Sequence, residues 1–202
     1  MVKYFSVIML CLTIESAAQK TFSLQDLFQQ DTVVWFGIDY SQSRFIGTFE
    51  GKDLRDYFVG WNRLILEEPY KYDLRAALRK RSVKFDVGSV ERINASSVPN
   101  INPASDSTLK SSALGEIITR YESVHDEGIG VVLIADRYVR PRSVATHFLV
   151  IFDIASRKIL LHQKYSTIPD GTGVRNYWAR TIYRSINLLG KSYKKWEKKF
   201  AH

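Results

Sequence analysis

Two aspartates and four histidines are the residues of this 202-residue chain whose types and positions could do chemistry. Asp39 closes the apolar run VVWFGID and Asp136 closes VVLIAD. A carboxylate at the end of an apolar strand can mark a cleft where it works as a general base. The same pattern arises where a strand reaches water or where the charge pairs with a neighbour. The histidines are His125, His147, His162 and His202, and a metal site needs two or three of them to converge. If Ile154 pairs with Ile159 across a hairpin, His147 faces Ser166 and His162 faces Ile151. The two then share a face about 13 Å apart, at about 3.3 Å per residue, and do not chelate one ion. Gly171-Thr172-Gly173 stands before a helix and could seat an anion on free amides. It has neither the P-loop lysine spacing nor the dinucleotide glycine pattern, and reads as a turn and cap. No serine sits in a G-x-S-x-G context. These readings assign no catalytic residue, no metal and no cofactor.

The residues that could bind are basic and aromatic. Arg137, Arg140 and Arg142 cluster about one turn with Tyr138 between them, and Trp196, Lys198 and Lys199 lie in the terminal stretch KKWEKKF. The net charge of +8 is uneven. Lys191, Lys194, Lys195, Lys198 and Lys199 stand against Glu197 alone. Residues 71–92 hold Lys71, Arg75, Arg79, Lys80, Arg81, Lys84 and Arg92 against Asp73, Asp86 and Glu91. Such segments suit an acidic partner protein, anionic lipid headgroups or an acidic polysaccharide. They also suit a solvated helix end whose lysines complement the helix dipole.

The first residues, MVKYFSVIMLCLTIESAAQ, bear on location. Lys3, an apolar run from Tyr4 to Leu12 and small residues at Ser16, Ala17 and Ala18 have the layout of a secretory signal peptide over residues 1–18. An apolar run of about nine residues is too short to span a bilayer. Cys11, the only cysteine, falls inside this leader behind Leu10, which is not the small residue a lipoprotein site wants. The expectation is an exported, periplasmic or envelope-associated chain without a lipid anchor. Its mature form, residues 19–202, is free of disulfides and cysteine chemistry. Export argues against a nucleic-acid partner. The oligomeric state is left open.

The elements that would position these residues follow from periodicity. The stretch from Gly128 to Thr167 reads as three antiparallel strands, 129–139, 144–154 and 159–166. Val131 to Ile134 and Phe148 to Phe152 are apolar on both faces, so these strands are central and something covers each face. Val33 to Tyr40 is another strand, and 82–94 is read as a further one. Helices are predicted over 54–65 with Asp53 as N-cap, over 72–81 and over 109–121. In the last helix Val174, Trp178, Ile182, Ile186, Leu189, Tyr193, Trp196 and Phe200 recur at helical spacing, long enough to cross a sheet. The expected fold is one α+β domain: a mainly antiparallel sheet of about five strands, packed by three or four helices.

The run VVLIADRYV, the hairpin VIFDIASRKILLHQK and the final helix beginning VRNYWARTI carry a resemblance over residues 33–198. In element order the chain resembles the small periplasmic α/β domains of curli-pore lipoproteins and of the Tol-system propeller protein. The lipobox of the former is missing, and no propeller follows. The resemblance implies an envelope assembly or interaction role rather than an enzyme. The alternative is a hydrolase or small-ligand-binding protein with its site at the strand ends near Asp39 and Asp136.

Overall fold

The computed structural model describes residues 19–49, 53–102 and 107–201, so the predicted leader with Cys11, and His202, lie outside the described residues. Ser23 opens helix α1 (Leu24–Gln29) with a reciprocal capping box to Asp26. Strand β1 (Thr32–Asp39) ends in a turn where the Ser43 amide and hydroxyl both donate to the Tyr40 carbonyl, and β2 (Arg44–Ile46) follows. Asp53 caps α2 (Leu54–Glu67) by accepting from the Arg55 amide at 2.9 Å. Asp73 caps α3 (Leu74–Leu78), which stops well short of Arg81 because Arg79 turns left-handed at φ 51°. Next come β3 (Ser82–Phe85), α4 (Gly88–Ser96) and β4 (Asn100–Ile101). A 3-10 turn at Ser111–Ala113 leads into α5 (Leu114–Thr119). The chain finishes with β5 (Ile129–Val139), β6 (Val144–Asp153), β7 (Ile159–Thr167) and the 28-residue α6 (Gly173–Phe200).

Among the described residues the sheet has seven strands, and its pairing differs from the expected antiparallel sheet of about five. The β5–β6–β7 meander is antiparallel, as read. The other four pairings, β1 with β3, β1 with β5, β2 with β5 and β2 with β4, are all parallel. Six α-helices are present among the described residues rather than three or four. The reason lies in the connections. α2 and α3 carry the chain from β2 to β3, α4 carries it from β3 to β4, and α5 carries it from β4 to β5. A helix that crosses a sheet returns the next strand in the same direction. The doubly apolar run of β5 fits a strand with parallel neighbours and both faces covered, whereas β6, equally apolar, pairs only antiparallel. The reading of 82–94 as one strand fails for a related reason: beyond Phe85 the chain turns helical, and Val90 and Ile93 reach the core at a spacing of three.

Since β6 fills one whole edge of β5, β1 and β2 share the other. Asp39 pairs with Ile134 and Arg44 with Arg137, so the turn at 40–43 lies level with a bulge in β5 at Asp136. The two strand-end carboxylates thus belong to two matched irregularities in neighbouring strands. In the hairpin His147 pairs with Tyr165 and His162 with Val150, one residue from the expected register, with a bulge at Leu160. That slip puts the two histidines on opposite faces: His147 is fully buried and His162 exposed.

Both faces of the sheet are covered. One carries α1, α2, α3 and α6 and is aromatic, with Trp35, Tyr40, Phe45, Phe58, Trp61, Tyr138 and Trp178 in a single cluster. The other carries α4 and α5 over a smaller, largely aliphatic cluster that includes Val34, Val132, Ile134 and Val150. On this second face the Phe152 ring lies over Gly130, where a Cβ would stand 2.4 Å from the ring. The N-terminal segment joins the aromatic face. Phe22 donates its amide to the buried Asp153 at 3.0 Å, and Leu27 enters the cluster.

Candidate interaction surface

The strand-end carboxylates come first, because the sequence points to them. Asp39 and Asp136 are both fully buried on the α4/α5 face. Asp39 accepts from the Tyr121 hydroxyl and from the Ser41 amide, each at 2.7 Å, with Arg120 at 3.7 Å. Asp136 accepts from the Leu109 amide at 2.7 Å and from the Thr146 hydroxyl at 2.9 Å, and pairs with Lys164 at 2.9 Å. Asp86 holds the Ser123 hydroxyl and the Val124 amide in the same manner. All three fasten one segment, residues 107–124, to the sheet. Buried carboxylates are expected to be hydrogen-bonded, as all three are, and Asp39 and Asp136 also have cations beside them.

A polar group that periodicity did not reveal lies on the aromatic face. His147 is buried, with Nε2 at 2.9 Å from the Tyr138 hydroxyl and Nδ1 at 3.1 Å from the Ser185 hydroxyl. Burial pulls its pKa down to about 4, with Asp136 opposing, so the ring is neutral near pH 7. Ser185 within the apolar stripe of the last helix was the available signal. Asn62 and Asn94 likewise clamp the backbone of β1 near Gly37. Asn94 opens the sequence Asn94-Ala95-Ser96, and its carboxamide is committed to Tyr40 and Ile38 inside the fold. Gly37 has φ +104°, and a Cβ there would meet Asn62 Oδ1 at 2.8 Å.

The six candidate binding residues fall into two separate groups. Arg137 is largely buried and its Nε lies 4.0 Å from Asp136, Arg140 stacks on the Tyr177 ring at 4.5 Å, and Arg142 is exposed. Tyr138 points into the core, so the aromatic ring that meets these arginines is the half-buried Tyr177 and not Tyr138. Trp196, Lys198 and Lys199 lie at the far end of α6, about 28 Å from Tyr177 at 1.5 Å per residue. Trp196 packs half-buried on the aromatic cluster, and Lys198 and Lys199 are exposed.

The second group has neighbours that sequence distance hides. α3 packs directly on α6, with Ala77 so close that a Cβ on Gly190 would stand 3.5 Å from its Cα. Arg79 bridges to Glu197 at 2.6 Å. Lys80 lies 5.5 Å from the Tyr193 ring centre and donates to the carbonyls of Leu27 and Gln30, closing the C-terminal end of α1. Burial draws the Lys80 pKa down to about 8. The α3 part of the first basic stretch, Arg75 to Lys80, therefore meets the second, 191–199, on one side of the molecule, while Arg92 on α4 lies on the other and pairs with Glu122. Glu197, the only acid among the terminal lysines, is taken up by Arg79. The exposed cations left there include Arg75, Lys191, Lys194, Lys195, Lys198 and Lys199.

A cleft of about 350 Å³ opens between the end of α2 and the start of α6. Its charges alternate in sign, Glu68, Lys71, Asp170 and Arg180, and Lys71 is paired with Glu68 at 2.8 Å. Gly171 and Gly173 beside it take positive φ and form the turn into α6. Among the described residues no cluster of three or more His, Cys, Asp or Glu is placed to hold a metal ion, and no helix is long and apolar enough to cross a membrane. No protein-family model and no curated protein matches the chain.

Proposed function

We propose that this chain is an exported interaction module of a bacterial envelope rather than an enzyme. Its working surface is the basic face where α3 meets the last turns of α6, and its partner is an acidic surface of another envelope protein. One observation carries the reading: cationic residues of α3 and of the last turns of α6, about a hundred positions apart in sequence, lie together, with Trp196 at their border. The alternative site near Asp39 and Asp136 is weakened because both carboxylates are occupied as fastenings. Export rests on the leader-like residues 1–18.

The test is to tag the full-length protein in its host, crosslink the intact envelope, and compare the native chain with one carrying Lys194→Glu, Lys195→Glu, Lys198→Glu and Lys199→Glu. The expected result is a mature N-terminus near Gln19 or Lys20, and one dominant protein partner that is lost in the variant. Binding should also fall steeply as salt rises. An unprocessed N-terminus overturns the location, and a partner retained by the variant overturns the surface. Binding to anionic vesicles with no protein partner would transfer the same surface to lipid.

A further inference from the structure

The sheet ends on one side at β3, which pairs with β1 and with no other strand among the described residues. The Ser82 and Asp86 amides donate to β1 or the residue before it, to the Asp31 and Trp35 carbonyls at 3.1 and 2.9 Å. With a period of two along a strand, the amides and carbonyls of Val83 and Phe85 point to the open edge. Beside that edge lies a groove of about 210 Å³ lined by Ile65, Pro69, Tyr70, Leu74, Val83 and Phe85. Tyr70 is fully exposed and Phe85 is 45% exposed, an unusual outlay of large apolar side chains next to unpaired backbone. Arg75 and Asp73 both line the groove, so its own charges balance, and the exposed cation Lys84 projects from the opposite face of the strand.

We propose that the β3 edge receives an extended segment of a partner protein as an added strand, with apolar and acidic residues alternating. The backbone of the added strand would pair with Val83 and Phe85. Its apolar side chains would enter the groove beside Tyr70 and Phe85, and its acidic ones would lie on the opposite face near Lys84. The occupant is argued from charge and from period. The edge carries Lys84 on its free face, and an added strand pairs with both outward amides in register while its alternate side chains fill a groove on one face. The inference deepens the interaction-module reading and rests on it for the acidic character of the partner.

The probe is a fluorescent peptide of alternating valine and glutamate, together with a display library of short random peptides, offered to the full chain. The expected result is saturable binding, library winners with the same alternation, and slowed amide exchange at Val83 and Phe85. Val83→Pro removes an outward amide without touching a bond to β1, and should weaken binding at least about tenfold. Phe85→Glu keeps the backbone and should weaken it comparably, which guards against a proline variant that fails to fold. The four-lysine variant on α6 should still bind the peptide. That outcome separates failure of this edge from failure of the basic face. Equal binding by both edge variants, no selection from the library, or a peptide footprint elsewhere overturns the proposal. So does a homodimer that the peptide displaces, since the groove would then belong to a second copy.

Discussion

The two faces of the sheet differ in what dominates their hold, although buried Asp153 also fastens Phe22 on the aromatic face and Phe36, Tyr121 and Phe152 meet on the other. On the face under α2, α3 and α6, aromatic rings meet at close range: Tyr40 and Phe58 stack at 4.4 Å, Phe45 and Tyr138 at 5.0 Å, and Trp61 and Tyr138 at 5.7 Å. On the face under α4 and α5 the helices are short, nine and six residues, and cannot cover much sheet by themselves. There, buried carboxylates draw in the connecting chain. A ring buried in a packed cluster is worth several kcal/mol to the whole domain. A hydrogen-bonded carboxylate holds one segment, and its loss is felt there first. The aromatic face should therefore govern global stability, and the carboxylate face should govern the local order of residues 107–124.

The largest expected effect is on the aromatic face. Trp61 is fully buried, and its indole N–H donates to the Arg175 carbonyl at 2.9 Å, tying α2 to α6. Trp61→Ala should cost about 3–5 kcal/mol, read as a fall in denaturant midpoint at unchanged slope. A loss below about 1 kcal/mol would mean that the rings only fill space and do not govern the domain.

Acid sharpens the contrast next. The His147 ring has a pKa of about 4 in the fold and 6.5 when free, so between these values the unfolded chain binds the extra proton. The stability it contributes is whole above about pH 6.5 and is lost as pH falls toward 4, about 3 kcal/mol in all. Tyr138 and Ser185 contact the ring and Asp136 acts on it through its charge. His147→Gln should flatten the difference in unfolding free energy over that window. A pH profile identical to the native chain would place the acid sensitivity elsewhere.

Much of this division is legible in the sequence. The stripe on α6 and the doubly apolar β5 and β6 follow from period, because burial imposes them locally, and the cap Asp53 follows from side-chain type; Asp73, read as lying inside its helix, proves to be the cap of α3. Parallel pairing was not legible in the same way. It depends on which strand a helix delivers the chain to, and no residue of β1 names β5 as its neighbour. The hairpin register missed by one because the Leu160 bulge follows from the turn, not from the alternation. Asp39 and Asp136 were recognisable as unusual, but their role was not. The residues that occupy them, Leu109 and Tyr121, are distant in sequence. The basic surface was half visible: both cationic stretches stood out, and their meeting through Ala77 and Gly190 did not.

On the carboxylate face the expected effect is smaller and confined. Asp136→Ala removes the acceptor for the Leu109 amide and the Thr146 hydroxyl and leaves Lys164 without its partner. A cost of about 1–3 kcal/mol is expected. Amide exchange should quicken over residues 107–124 while β5 and β6 keep the rate set by global unfolding. Uniform quickening would show that this segment folds with the whole domain, and would break the comparison.

The smallest effect separates the charge of the pair from the hydrogen bonds around it. Lys164 stands 2.9 Å from Asp136, reaches the Thr108 hydroxyl at 2.8 Å and lies over the Phe148 ring at 5.0 Å, with a third of its side chain exposed. Lys164→Met keeps most of the apolar stem and removes the ammonium. Asp136 then still accepts from Leu109 and Thr146. If those two bonds carry the fastening, the variant should lose no more than about 1 kcal/mol, and exchange over residues 107–124 should stay near the native rate. If the buried carboxylate needs the cation, the loss should instead match Asp136→Ala, and the double variant should cost no more than either single one. The first outcome makes the face a set of neutral donors gathered on fixed charges. The second makes it an ion pair that solvent enters from one side, with Lys164 as the part of the fastening most open to salt.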